Sequence, residues 1–192
     1  MIKKLQTLFL LLPLLLLAAC YEAHVEVIYP DETVETGLVK DLVFEGYSRT
    51  EDGSFIKDTT YRIIRKEPPN DYIYVNDRAS YIERRLRFRQ LDENLFLMQV
   101  NVEDSTRYQL MLLQKNRGFF DVLMPERFNE QGIDVTASQV AMAQKLGIRL
   151  EGQGYGPFRL FGERNKIRIF MHSLSTLPTE VVYKFAREGQ GF

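Results

Sequence analysis

Apolar and polar positions alternate with a period of two through much of residues 38–125, and turn residues cut the alternation into short runs. Before that stretch, Ala23, Val25, Val27 and Tyr29 alternate with His24, Glu26 and Ile28, which predicts a strand that Pro30-Asp31 ends. Leu38 to Ser48 predicts the next strand, and Thr50-Glu51-Asp52-Gly53 a turn. Thr60 to Lys66 and Tyr72 to Val75 follow, separated by Pro68-Pro69-Asn70-Asp71. Residues 81–125 are the most regular. Ile82, Leu86 and Phe88 oppose Glu83, Arg85, Arg87 and Arg89; Phe96, Met98, Val100 and Val102 oppose Leu97, Gln99 and Asn101. Tyr108 to Leu113 is apolar on both faces and predicts a covered central strand, and Phe119 to Met124 runs until Pro125 stops it. Four strands joined by short polar turns predict an antiparallel meander.

The period changes after Pro125. Glu126 to Asp134 reads as loop, and Thr136 to Leu146 as a helix with Val140, Ala143 and Leu146 on one side and Gly147 as its stop. A glycine-rich connection leads through Gly152, Gly154, Gly156 and Pro157 into a short strand, Phe158 to Phe161. In Lys166 to Leu174 the residues Ile167, Ile169 and Met171 alternate as in a strand. Ile167, Phe170, Met171 and Leu174 also keep helical spacing, with Asn165 as a cap, and the helix is the preferred reading. Val181, Tyr183 and Phe185 predict a last strand before a loose tail from Gly189 to Phe192. The expected fold is α+β and β-dominant. It is an antiparallel, curled sheet with a meander over 81–125 and one or two small helices near the C-terminal end; a closed β-barrel is the alternative.

The first twenty residues have a different character. Lys3 and Lys4 precede the apolar run Leu5–Leu17, interrupted by Gln6, Thr7 and Pro13, and Ala18-Ala19-Cys20 follows. A charged start, a short apolar core and small residues describe a secretory signal peptide. Leu5 to Ala19 is 15 residues, against the roughly 20 that a spanning helix needs. Leu17-Ala18-Ala19-Cys20 resembles the lipobox of bacterial lipoproteins. The resemblance covers residues 1–20 and implies removal of residues 1–19, a diacylglyceryl group on the Cys20 sulfur and an acyl chain, such as palmitate, on the new amino terminus. A single domain of residues 20–192 remains. The paired residues are lysines, not a twin-arginine signal, so export by the general secretory route is expected. Tyr21 stands where an aspartate commonly signals inner-membrane retention in such lipoproteins. In a Gram-negative host the resemblance therefore implies the outer membrane, facing the periplasm.

Composition adds limits. The chain holds 25 Lys and Arg, 26 Asp and Glu, and one cysteine. Losing Lys3 and Lys4 moves the formal charge from −1 to −3, a balance that gives no reason to expect nucleic acid as a partner. With Cys20 lipidated no disulfide forms, so the fold rests on its core, for which 13 Phe and 10 Tyr are available. No polar tether follows Cys20, so the domain is expected close to the membrane.

The sequence holds little that points to catalysis. Ser54-Phe55-Ile56-Lys57 matches the S-x-x-K pattern of penicillin-binding enzymes and serine β-lactamases, but the serine follows an Asp-Gly turn and no Ser-Asp-Asn or Lys-Thr-Gly companion exists. His24 and His172 are far apart in sequence, and each is better explained as a structural residue than as a catalytic base or zinc ligand. Asp31, Glu32 and Glu35 read as a solvated acidic turn rather than a calcium site. Gly152-Gln153-Gly154-Tyr155-Gly156 lacks phosphate-loop spacing and reads as a tight connection.

Two surface features remain. Arg85, Arg87 and Arg89 share one strand face, a candidate patch for lipid phosphate or an acidic partner, weighed against an ordinary solvated face. Tyr61, Tyr72, Tyr74 and Tyr81 lie around the Pro68-Pro69 break, and Tyr72, Tyr74 and Tyr81 are a candidate aromatic recognition surface. The functional expectation is a lipid-anchored, non-enzymatic binding or accessory module for an envelope protein, polymer or lipid, with no metal and no cofactor beyond the lipid on Cys20. A carrier of a hydrophobic molecule is the alternative, and an envelope hydrolase is the least supported. A fatty-acid probe supplied to the producing cells is expected to label the wild type and leave Cys20→Ser unlabelled; equal labelling of both removes the anchor.

Overall fold

The computed structural model describes residues 21–34, 42–65, 72–76, 84–101, 106–117, 119–125, 135–152 and 158–187. In chain order the elements are β1 (Tyr21–Ala23), β2 (Leu42–Arg49), β3 (Phe55–Arg65), β4 (Tyr72–Asn76), β5 (Arg84–Asp92), β6 (Leu95–Asn101), β7 (Tyr108–Asn116), β8 (Phe119–Pro125), α1 (Val135–Lys145), β9 (Arg149–Glu151), β10 (Phe158–Phe161), α2 (Arg164–Leu174) and β11 (Thr179–Arg187). The strands form one sheet in the order β6-β5-β4-β3-β2-β11-β8-β7-β1-β10-β9, and β6 also pairs with β7. That extra ladder folds the end of the sheet back onto an interior strand, so the sheet curls. A limb of β1, β10 and β9 continues past β7 to an outer edge.

The fold is therefore β-dominant with two small helices near the C-terminal end. The whole sheet does not form the closed barrel weighed as the alternative, because the β1–β10–β9 limb leaves the curl. Nor is it wholly antiparallel: β1 runs parallel to β10, Tyr21 opposite Phe158. β5 to β8 form the expected antiparallel meander. Residues Lys166 to Leu174 are helical, within α2, whose buried face is Ile167, Phe170, Met171 and Leu174. Strand β9 was not anticipated, and it follows directly from the end of α1. Gly147 has φ +70°. Its N–H donates to Gln144 O at 2.9 Å, and Ile148 N–H to Ala143 O at 2.8 Å. That pair of bonds is the Schellman arrangement, with Ile148 and Ala143 buried together.

Two cores share strands β6 and β7. Leu86, Phe88, Phe96, Met98, Val100, Leu113, Phe120, Val122 and Tyr183 pack inside the curl. Leu97, Leu110 and Leu112 point the other way, onto the helices and β10, where they meet Tyr21, Ala143, Leu160, Phe170 and Met171. This is why Tyr108 to Leu113 is apolar on both faces: each face of β7 covers a different core.

The N-terminal segment departs most from the period-two expectation. Only Tyr21–Ala23 is strand; the predicted strand Ala23–Tyr29 is replaced by bends and a 3-10 turn at Pro30–Glu32. Val27 and Ile28 are adjacent in sequence and both fully buried, which no strand facing one core permits. Their backbone groups find side-chain partners instead of a ladder. Gln99, buried on β6, accepts from Val27 N–H at 2.7 Å and Ile28 N–H at 2.8 Å through one oxygen. Its Nε2 donates to Ile28 O at 3.3 Å. Arg87 Nη1 donates to the same carbonyl at 3.0 Å, and Arg168 Nε to Val27 O at 2.7 Å. Val34 N–H then donates to Phe88 O at 2.9 Å. Residues 24–34 thus form a strap across the sheet.

A buried donor left without a partner costs about 1–3 kcal/mol. Gln99→Leu preserves volume but strands two N–H groups. It is expected to lower unfolding free energy by roughly 2–4 kcal/mol in urea titration, whereas Gln114→Leu, half-buried further along the sheet on β7, is expected to change it little.

Candidate functional site

The arginine row is built into the fold. β5 does place Arg85, Arg87 and Arg89 on one face, but the strap lies over that face. Arg87 is buried and forms an ion pair with Glu26. Arg89 donates to Glu32 Oε1 at 3.0 Å. Arg85 alone of the three is exposed. The three do not make a solvated anion patch, because two of the guanidinium groups hold the N-terminal strap.

Glu32 is the centre of that arrangement. Besides Arg89 it pairs with Arg168 from α2, and Arg164 Nη1 lies 3.8 Å from its Oε2. The N–H of Tyr29 donates to the same oxygen at 3.0 Å. Arg164 sits over the Tyr29 ring at 3.8 Å. Burial works against ionisation of Glu32. The hydrogen bonds from Arg168 and the Tyr29 N–H, with the charges of Arg168 and Arg89, outweigh it and hold the carboxyl at about 2. The expected solvated acidic turn is thus corrected at Glu32, whose carboxylate is engaged by cations. Asp31 is exposed, and Glu35 lies outside the described residues. Among the described residues no group of three or more His, Cys, Asp or Glu converges as metal ligands.

Ser54 and Lys57 are not joined as a catalytic pair would be. Ser54 closes the β2–β3 turn, where its Oγ donates to Asp52 at 2.7 Å, and Lys57 pairs with Glu45. His24 Nδ1 donates to Leu160 O at 3.0 Å and its ring lies against Phe161. His172 is on the exposed side of α2. Tyr72 and Tyr74 lie on β4, in register with Leu86 and Arg84. Only their backbone is described, and Tyr81, Cys20 and the glycine-rich connection from Gln153 to Pro157 lie outside the described residues.

An open site among the described residues was not anticipated. Val140 and Gln144 of α1, the turn Gly147-Ile148, and Arg149 and Leu150 of β9 line a groove of about 390 Å³. β9 is the last strand in the sheet order and pairs with β10. One wall of the groove is thus a helix and the other a sheet edge. Arg149 forms an ion pair with Glu151 at 3.1 Å and covers the Phe161 ring at 4.4 Å. A Cβ on Gly147 would stand 3.7 Å from Lys166 Nζ, so a second cation lies by the turn. The signal in the sequence was the step from the helix stop at Gly147 into Ile148-Arg149-Leu150-Glu151, an alternation of four residues and too short to weigh.

Across protein-family models, curated proteins and solved structures, nothing matches this chain.

Glu32 has a folded-state pKa below its ordinary 4.5, so its contribution to stability is complete above about pH 4.5 and is lost as pH falls towards 2. Glu32→Gln is expected to lower the urea midpoint at pH 7 and to flatten its decline between pH 5 and 3. An equally steep decline in the variant removes Glu32 as the acid-sensitive group.

Proposed function

We propose that the chain is a bacterial cell-envelope lipoprotein, held by lipid on Cys20, whose domain is a non-enzymatic binding module for another envelope component. The observation that carries the binding reading is the groove between α1 and β9, where apolar Val140, Ile148 and Leu150 lie beside a strand that, among the described residues, has a partner on one side only. A sheet edge offers backbone N–H and C=O groups to an added strand, and a neighbouring pocket selects its side chains. The groove therefore suits an extended stretch of protein chain with apolar side chains. The lipobox and the absence of a tether between Cys20 and Tyr21 support a site of action at the membrane surface. Among the described residues, the interior positions Leu86, Phe88, Phe96, Met98 and Val122 of the curl are packed against one another, which does not favour the carrier alternative.

A photocrosslinking residue at Gln144, exposed on α1, is expected to capture one discrete envelope partner in cells. The same residue at Glu93, in the β5–β6 turn, is expected to capture none. Val140→Glu, which sets a charge in the groove, is expected to reduce the Gln144 adduct at least tenfold while the protein level stays unchanged. Equal adducts at both positions, or an adduct indifferent to Val140→Glu, overturn the reading.

A further inference from the structure

The start of β1 fixes how an anchored chain must lie. β7 shares one of its edges between two strands. Leu112 pairs with Leu123 of β8, and Leu110, two residues away, pairs with Tyr21 of β1. Both strands run antiparallel to β7, so the C-terminal end of β8 and the N-terminal end of β1 approach each other head to tail. β8 passes the meeting point by leaving β7: Met124 and Pro125 keep register with Glu180 and Thr179 of β11. The sheet forks there, and residue 20 is the next residue back from Tyr21 at that fork.

Tyr21 has no freedom to move the attachment point. It is 3% exposed, paired on both sides, stacked on Phe158 at 5.7 Å, and its hydroxyl donates to buried Gln139 at 2.8 Å. Burial pushes its phenol up, so it remains a neutral donor. Consecutive Cα atoms are about 3.8 Å apart. A lipid on Cys20 therefore begins within one residue of the folded sheet, with no length of chain to lift the domain away. The residues around the fork are apolar and half-buried on both sides of the sheet: Leu123, Phe158 and Val181 on the helix side and Met124 on the other.

We infer that the fork, flanked by Leu123 and Phe158 on the helix side of the sheet and by Met124 on the other, is seated on the phospholipid surface, so that the lipid on Cys20 orients the domain and does not merely tether it. The inference rests on the lipoprotein reading above and adds a fixed membrane-facing surface to it. The edge strand β9 belongs to the same limb as β1, joined to it through β10, so a seated fork face also sets the groove at a defined height and direction.

The test uses the full-length lipoprotein, purified with its lipid and reconstituted in vesicles of phosphatidylethanolamine and phosphatidylglycerol that carry a nitroxide quencher in the headgroup region. A fluorophore is placed on Met124→Cys at the fork or on Glu93→Cys in the β5–β6 turn. Lys115 N–H donates to Asn94 O at 2.7 Å, which sets that turn at the far end of β7. Lys115 is four residue steps along β7 from the fork at Met111, roughly 13 Å at about 3.3 Å per residue. Quenching at Met124→Cys is expected to exceed that at Glu93→Cys at least threefold. A ten-residue Gly/Ser linker inserted between Cys20 and Tyr21, with a reach of roughly 15–20 Å, is expected to make the two positions equal. Intact mass reports acylation in every sample. An acylated chain quenched equally at both positions without the linker overturns the seated face and leaves the lipoprotein reading standing. A chain whose mass lacks the acyl groups overturns both.

Discussion

One buried amide holds the N-terminal segment in place. Gln99 projects from β6 beside the buried Arg87 of β5, with which it is in register, and its carboxamide serves three backbone groups of Val27 and Ile28. A chain crossing a sheet without joining a ladder must satisfy its polar backbone some other way. Here Gln99 and Arg87 do so from the sheet and Arg168 from α2, and Glu26 and Glu32 return charge to the two arginines. Removing one partner would leave the others buried and unmatched, so the group acts together.

What the strap holds is the bridge of the sheet. β1 is three residues long, yet it lies between β7 and β10 and is the strand through which the β10–β9 limb joins the curl. Its partners on β10 are more than 130 residues away in sequence, Tyr21 opposite Phe158. Contacts so distant form late and carry a large loop-closure cost. The groove beside β9 thus depends on an element at the other end of the chain. In the proposed lipoprotein the same three residues connect the membrane to the sheet, so attachment and binding surface are mechanically one piece.

The candidate site was the part of the molecule hardest to foresee. The arginines of β5 looked like a surface because period-two spacing places them together on one face; nothing in that spacing says what covers the face. The cover is residues 24–34, whose own pattern suggested a strand. The two misreadings have one cause, since Val27 and Ile28 are buried by crossing the sheet and Arg87 is buried by being crossed. The groove was missed because β9 is three residues long and takes its meaning from its place at the sheet edge.

By itself the sequence determined the elements whose signals are local. The meander of β5 to β8 follows from alternation and polar turns, the end of α1 from a glycine free to take φ +70°, and α2 from an apolar stripe at helical spacing. It also determined that β7 would be covered on both faces, and it carries the lipobox resemblance. Tertiary structure alone decided that the sheet curls so that β6 meets β7, that β1 runs parallel to β10, and that an arginine row serves the interior. Each of these depends on which distant segments meet. Side-chain periodicity records how much of each face is buried and leaves open what buries it, because apolar packing is non-directional and one pattern satisfies many partners.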